Sequence, residues 1–336
     1  MGIVIVNWNG WRDTLDCLKS LEQSDYTAFL PILVDNASTD ESVAMFQSLP
    51  NSVEVIVSPI NGGWSGGNNL GIRRALDRGC DYIYLLNNDA SICSATIAAL
   101  IDIASDTRFT DYGILGSIVE SEQPDEKYEF SGTIVDEYSL LPSGMGHPKD
   151  SPVLSTDVIP VAFAKGCSIF FHRSVVDRIG LIDDRFYLNY DETDFCYRAR
   201  AAKILSGMCP RSKIIHKGGA SIGGLRSPLS LYFLTRNQLL FAEKHFDLRH
   251  RARLIAVTLA EIGKYKRAIA AASPAGQPIL RLQREAVRRG AVDYMLRRFG
   301  NCPDRIREIN MLYRTMIAVS HSGDAPLMPC VQRTSC

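Results

Sequence analysis

No stretch of this chain approaches the roughly 18 consecutive apolar residues that cross a bilayer, so a transmembrane anchor is not expected. Its nine cysteines include no Cys-x-x-Cys pair. That leaves neither the spacing of a zinc site nor a disulfide framework, and it fits a reducing compartment. A cleavable signal peptide is not expected either, because Met1-Gly2 leads straight into an apolar strand; the expected location is cytoplasmic. The glycine-rich loop does not match the dinucleotide fingerprint G-x-G-x-x-G, and no Walker G-x-x-x-x-G-K-[ST] occurs. These absences argue against a dehydrogenase and a P-loop enzyme.

Net charge is absent as well, since 37 Lys and Arg balance 37 Asp and Glu. The balance hides an asymmetry. Residues 1–241 carry 20 basic and 29 acidic side chains, while residues 242–336 carry 17 and 8. A basic tail suits an anionic partner such as phospholipid headgroups, and equally a solvated helical surface. A length of 336 residues predicts one large domain or a catalytic domain with an appendage.

What is present is a succession of short apolar runs, each ending in polar residues. Gly2-Ile3-Val4-Ile5-Val6 ends at Asn7, and Pro31-Ile32-Leu33-Val34 at Asp35. Val53-Glu54-Val55-Ile56-Val57 leads to Asn61, and Tyr82-Ile83-Tyr84-Leu85-Leu86 to Asn87-Asn88-Asp89. Such runs predict buried strands of a parallel sheet. Helical spacing between them predicts right-handed βαβ units. Residues 112–119 and 162–171 predict further strands, 94–106 and 173–179 helices, and the proline-bearing residues 120–160 loops and short strands.

In open α/β sheets ligands sit beyond the carboxyl ends of the strands, so four polar strand ends in succession predict a nucleotide pocket. Asp89 is placed to hold a hard cation such as Mg2+ or Mn2+ through oxygen, although Asn87 and Asp89 also suit a turn. The stretch from Gly62 to Asn69 predicts a loop whose backbone approaches a phosphate, opening a helix at Leu70. A second cluster, Asp191, Glu192 and Asp194, begins a helix. Its macrodipole explains the carboxylates, and so does a general base accepting a proton from a hydroxyl. His216 ends another apolar strand, where a histidine serves a metal or the fold.

In their order these segments resemble the family 2 glycosyltransferases, inverting enzymes of the GT-A fold. They are most similar to the rhamnosyltransferase-like members that build bacterial surface polysaccharide. The resemblance rests on Ile5-Val6-Asn7-Trp8-Asn9-Gly10, Val34-Asp35-Asn36-Ala37-Ser38-Thr39-Asp40, Asn61-Gly62-Gly63-Trp64-Ser65-Gly66-Gly67-Asn68 and Leu86-Asn87-Asn88-Asp89. Lys165-Gly166-Cys167, residues 180–198, His216-Lys217-Gly218-Gly219 and residues 232–237 follow. It implies an α/β, Rossmann-like, mostly parallel nucleotide-binding sheet flanked by helices in residues 1–246. Residues 247–336 would form a basic, mainly helical extension.

The resemblance also implies roles. Asn87-Asn88-Asp89 stands for the D-x-D motif, with Asp89 and His216 as ligands of a divalent cation, Mg2+ or Mn2+. Asp35 matches the residue that contacts the nucleotide base. The donor site is expected to include Asn7, Asn61, Gly62, Asn68 and Asn88, with Arg236 facing the diphosphate. The acidic cluster matches the motif of the catalytic base, where this chain reads Asp191-Glu192 in place of the commoner Glu-Asp. The second position is the usual base, so Glu192 is expected to serve, with Asp191 as the alternative.

The expected donor is a nucleoside-diphosphate sugar, dTDP-rhamnose ahead of a UDP-sugar. The expected acceptor is a hydroxyl of a glycan or of a polyprenyl-diphosphate-linked carrier, and nucleic acid is not an expected partner. The basic tail would meet the membrane surface peripherally or a second copy of the chain as a homo-oligomer. Two rivals stand beside this reading. A sugar nucleotidylyltransferase needs a basic glycine-rich loop near the N-terminus, whereas residues 7–12 hold one basic side chain. A non-catalytic sugar-nucleotide or glycan-binding module is the other, because fold does not imply function.

Overall fold

A computed structural model describes residues 1–120, 128–135, 142–148, 151–218, 224 and 226–321. Contacts group the chain into two compact units, Met1–Val135 with Pro142–Gly218, and Asp136–Leu141 with Gly219–Cys336. Gly219, Ala220 and Ser221 of the His216 segment lie outside the described residues, as do 322–336 and parts of 120–160.

The first unit runs β1 (Gly2–Asn7), α1 (Trp11–Leu21), β2 (Leu30–Asp35), α2 (Ser42–Phe46), β3 (Glu54–Val57), α3 (Gly63–Asp77), β4 (Tyr82–Asn87), β5 (Ala90–Ile92) and α4 (Thr96–Ser105). It continues with β6 (Tyr112–Glu120), β7 (Tyr128–Val135), β8 (Pro142–Pro148), β9 (Ile159–Val161), β10 (Ser168–His172), α5 (Arg173–Ile179), α6 (Asp191–Ala201) and β11 (Leu205–His216). The sheet order is β3-β2-β1-β4-β10-β6-β11-β5. Strands β3, β2, β1 and β4 are mutually parallel, and β10 enters antiparallel between β4 and β6. β1 is where the strand order reverses, with β2 on one side and β4 on the other. A crevice opens beyond the carboxyl end of such a strand.

Successive side chains of a strand point to opposite faces, and both faces of this sheet are covered. Ile3, Ile5, Leu33, Tyr84 and Leu86 pack on one face; Val4, Ile32, Ile83 and Leu85 pack on the other. The runs are therefore continuously apolar rather than alternating. Each fully buried Val, Leu or Ile stabilises the fold by about 1.5–3 kcal/mol.

Two expectations change. The helix expected from Leu70 begins at Gly63, so the glycine-rich stretch is mostly the first turns of α3. A Cβ on Gly67 would lie 2.6 Å from Val6 Cγ1, and one on Gly71 2.1 Å from Val4 Cγ1. These glycines let α3 lie close on β1; they do not form an open phosphate loop. The strand expected over 162–171 starts only at Ser168, because Lys165-Gly166-Cys167 turns beside the site.

The second unit comprises α7 (Pro228–His245), α8 (Leu248–Ala271), α9 (Gly276–Met295) and α10 (Asp304–His321). The division at Gly218/Gly219 differs from the expected boundary at 246, because α7 packs against α9. At Gly290 a Cβ would sit 2.6 Å from Tyr232 O. Tyr232 Oη donates to Asp293 Oδ2 at 2.9 Å. Arg236, expected to face a diphosphate, is fully buried; its Nη1 donates to Gly300 O at 2.7 Å, and its Nε donates to Asn237 Oδ1 at 2.9 Å. A guanidinium so placed is an internal tie of the helical unit. Among the described residues no helix is long and apolar enough to cross a membrane.

Candidate functional site

The polar strand ends bond first to one another. Asn7 Nδ2 donates to Asp35 Oδ1 at 2.9 Å and to Ser38 Oγ at 3.0 Å, while Asn7 Oδ1 accepts from Thr14 Oγ1 at 2.8 Å. Ser38 N donates to Asp35 Oδ2 at 3.0 Å. Asn9, held at φ 54°, accepts through Oδ1 from Thr39 N at 2.7 Å and Asp40 N at 3.2 Å. Asn7 and Asp35 are 0% exposed, so both bind the loops after β1 and β2 together beneath the crevice. Buried polar groups need such partners, since an unpaired one costs about 1–3 kcal/mol.

Across the crevice, Asn36 Nδ2 donates to Gly63 O at 2.9 Å, and Asn36 Oδ1 accepts from Gly62 N at 2.9 Å. Asn61 Oδ1 accepts from Gly63 N at 2.8 Å and Tyr187 Oη at 3.0 Å. Asn68 is buried and donates to Trp64 O at 2.8 Å. Asn88 donates to Thr14 Oγ1 at 3.1 Å. Of the expected donor contacts, Asn7, Asp35 and Asn68 are thus interior struts, because their polar ends face protein partners. Asn61, Gly62 and Asn88 remain partly exposed at the rim.

Asp89 and His216 meet, although 127 positions separate them in the chain. β5 turns back directly after β4 and pairs antiparallel with β11, which sets His216 opposite Ala90. Lys217 N donates to Asp89 O at 3.1 Å, and Lys217 Nζ reaches Asp13 Oδ1 at 2.7 Å. The His216 Nε2 to Asp89 Oδ1 separation is 3.0 Å, with the side chains 11% and 17% exposed. Burial alone would raise the Asp89 carboxyl, but the hydrogen bond and charge of His216 outweigh it and hold the group below its usual range.

This donor set fits a divalent cation. Two ligands at about 2.1 Å in neighbouring octahedral positions stand about 3.0 Å apart. Among the described residues no group of three or more His, Cys, Asp and Glu could hold a metal, so further ligands would come from phosphate and water, a common arrangement for Mg2+.

The acidic cluster begins α6. Asp191 is 2% exposed, and its Oδ2 has no hydrogen-bond partner among the described residues. Burial, then the negative charge of Glu192, push its carboxyl well above the usual range. Glu192 is partly exposed. A Cβ on Gly166 would lie 3.6 Å from the Glu192 carboxyl and 3.4 Å from Trp64 Cζ2, so both side chains adjoin one small residue. Asp194 instead accepts from Arg198 Nε at 2.8 Å within the helix.

Sequence reasoning assigned no role to Trp64 or Tyr187. Tyr187, Asn189 and Tyr190 all have positive φ, at 67°, 65° and 67°. Non-glycine residues there cost about 1–3 kcal/mol each and persist only where their surroundings fix them. The fixing contact is with the start of α3: Trp64 N donates to Tyr187 O at 2.7 Å. A Cβ on Gly63 would fall 2.2 Å from that same oxygen. Gly63, itself at φ 71°, was the signal in the sequence, but its partner lies more than a hundred residues away.

A family model described as glycosyl transferase family 2 matches residues 2–180. Over 251 residues the chain is 29% identical to the low-salt glycan biosynthesis hexosyltransferase Agl10 of Haloferax volcanii, covering 74% of this chain and 76% of that one. Over 236 residues it is 28% identical to N-acetylglucosaminyl-diphospho-decaprenol L-rhamnosyltransferase of Mycobacterium tuberculosis, covering 63% and 74%. In fold it is similar to the mannosyltransferase PcManGT of Pyrobaculum calidifontis, solved with GDP-Man and Mn2+. That likeness has a TM-score of 0.53 at 14% identity, over 88% of this chain and 86% of the other.

Proposed function

The chain belongs to glycosyl transferase family 2 and has the GT-A fold; from that premise we propose an inverting, cation-assisted sugar transfer from a nucleoside diphosphate to an acceptor hydroxyl. One observation carries this reading: Asp89 and His216, far apart in the chain, stand 3.0 Å apart at the sheet edge. Glu192 and Trp64 both adjoin Gly166, and Trp64 bonds to Asn87 two residues before Asp89.

Asp89 and His216 would hold the cation, and their mixed oxygen and nitrogen donors favour Mn2+ over Mg2+. When bound, a divalent cation supplies Lewis-acid stabilisation of the departing diphosphate, worth several kcal/mol against about 1 kcal/mol for a neutral hydrogen bond. Glu192 accepts the proton of the acceptor hydroxyl while that oxygen attacks the anomeric carbon opposite the diphosphate. The bond to the diphosphate breaks with its electron pair on phosphate oxygen, and configuration inverts. Asp191, buried and with its carboxyl pushed above the usual range by burial and by the charge of Glu192, is the alternative base.

A relative 23% identical over 289 residues, the dTDP-rhamnosyl transferase RfbF of Shigella flexneri, supports dTDP-rhamnose as the first donor to test, with UDP- and GDP-sugars next, and the name of the L-rhamnosyltransferase relative supports a polyprenyl-diphosphate-linked acceptor. The helical unit fits an anionic membrane surface. In α8 only Leu254 and Thr258 are buried. Leu248, Val257 and Leu259 are exposed beside exposed Arg249, Arg253, Lys264, Lys266 and Arg267, a pattern suited to peripheral binding.

Donor panels incubated with Mn2+ or with EDTA should release nucleoside diphosphate only with the metal, and NMR of the glycoside should show inverted configuration. A donor that binds without ever turning over would leave a non-catalytic module. Liposome flotation should carry the full chain with anionic but not neutral vesicles; a chain that never floats and sediments as an oligomer would assign α8 to self-association.

A further inference from the structure

The turn that leads into β10 holds a glycine that neither its backbone nor its packing requires. Ser168 N donates to Lys165 O at 3.0 Å, and Asn87 N donates to Cys167 O at 3.1 Å, so the turn is closed on itself and fastened to the end of β4. Gly166 inside it has no positive φ, and an L side chain would not be strained there. Elsewhere in the first unit a close neighbour fixes the glycine. A Cβ on Gly67, Gly71, Gly113 or Gly116 would lie 2.6, 2.1, 2.4 or 2.7 Å from another side chain. A Cβ on Gly166 would meet Trp64 Cζ2 at 3.4 Å and Glu192 Cδ and Oε1 at 3.6 Å, which are ordinary van der Waals contacts.

The missing side chain therefore leaves a methyl-sized space between an indole and a carboxyl, beside a residue that is itself partly exposed. The indole wall is held at two points. Trp64 N donates to Tyr187 O at 2.7 Å, and its Nε1 donates to Asn87 Oδ1 at 3.0 Å. An indole has one N–H, so with that group engaged the Cζ2 edge beside Gly166 offers only C–H. The other wall, Glu192, stands in the first turn of α6. One wall is thus apolar and the other is a carboxylate. Such a space suits an uncharged C–OH unit, whose hydroxyl donates to Glu192 while its carbon lies against the ring. It does not suit a phosphate, whose oxygens would meet a charge of their own sign.

We propose that Gly166 is a specificity-determining residue: the room left by its absent side chain seats the acceptor carbon and its hydroxyl against Glu192, and it selects a sugar hydroxyl over a phosphate acceptor. The inference rests on the reading of Glu192 as the base given above. It deepens that reading by naming the acceptor class and the residue that makes room for it. A methyl group in the same space would hold the acceptor oxygen away from Glu192 Oε1, and a misplacement of about 1 Å costs about 10²-fold in rate.

The test uses the full chain with Mn2+ and the nucleotide sugar that turns over in the donor panel. The acceptors are decaprenyl-diphosphate-linked monosaccharides, beginning with N-acetylglucosamine, and decaprenyl phosphate, which has no hydroxyl on carbon; products are read by mass spectrometry. Wild type should glycosylate a linked monosaccharide and leave decaprenyl phosphate unchanged. Gly166→Ala should lower kcat/KM for that acceptor about 10²-fold, while the donor dissociation constant by calorimetry and the melting temperature stay at their wild-type values. A variant that keeps the wild-type kcat/KM overturns the inference alone. So does one that loses donor affinity, because the space would then belong to the donor, and so does a lowered melting temperature, because packing would then require the glycine. Transfer to decaprenyl phosphate overturns the acceptor class. Full turnover in Glu192→Gln, or a wild type that binds donor and glycosylates none of these acceptors, overturns the base reading, and this inference falls with it.

Discussion

Replacing Glu192 by Gln and Asp191 by Asn separates two adjacent carboxyls that the sequence could not tell apart. Glu192→Gln should lower turnover by about 10²–10⁴-fold, the usual worth of a general base, or roughly 3–5 kcal/mol. Donor affinity should hardly change, because Gln fills the same volume. Asp191→Asn should stay within a few-fold of wild type. Asp191 is 2% exposed, and burial followed by the charge of Glu192 raises its carboxyl well above the ordinary range, so the uncharged isostere Asn suits the same buried site. The same shift predicts a stability effect of definite sign. A carboxyl whose folded pKa exceeds its unfolded value near 4 costs nothing below that pH. From there up to the folded pKa the cost grows by about 1.4 kcal/mol per pH unit. The stability difference between Asp191→Asn and wild type should therefore increase in favour of the variant as pH rises from about 4. Nucleotide release under saturating donor, donor titration calorimetry and urea unfolding at pH 4–8 read all three quantities. Full turnover in Glu192→Gln with an inactive Asp191→Asn, or a stability difference flat across that range, would refute the reasoning.

Two other changes test the scaffold and the metal pair. Asp89→Ala should make nucleotide binding with Mn2+ indistinguishable from binding in EDTA by calorimetry, and a variant that keeps the metal-dependent enhancement would remove Asp89 from the site. Gly71→Ala should destabilise the first unit by about 1–3 kcal/mol through overpacking, because the added methyl would lie 2.1 Å from Val4 Cγ1. At about 2–4 °C per kcal/mol, an unchanged melting temperature would show that α3 can move off β1 without cost.

The strands β1 to β4 were legible because one physical signal, a short apolar run closed by polar residues, is enough to mark a strand buried on both faces. The glycine-rich stretch misled for an equally physical reason. Glycine is required both where a backbone approaches a ligand and where a helix approaches a sheet, and local sequence does not say which. Only the positions of Val4 and Val6 beneath Gly71 and Gly67 decide it. Arg236 misled differently. Its expected role came from the resemblance alone; in the structure its guanidinium is buried and donates to Asn237 beside it and to Gly300, 64 positions on, a partner no local pattern announces.

At the site itself, sequence located the polar strand ends but not which way they face. Asn7, Asp35 and Asn36 have the chemistry to bind a nucleotide, and it is that same hydrogen-bonding capacity that lets them tie the loops after β1 and β2 to the start of α3. A crevice lined only by groups meant for ligand would have to leave them all unpaired in its absence, at about 1–3 kcal/mol for each buried one. The arrangement avoids this by satisfying the interior row within the protein. The partly exposed row of Asn61, Asn88, Asp89 and Glu192 is the one we propose for the chemistry, and its geometry is inherited from the row behind it. Substitutions in the buried row should therefore alter binding and turnover together, whereas those in the exposed row should separate them.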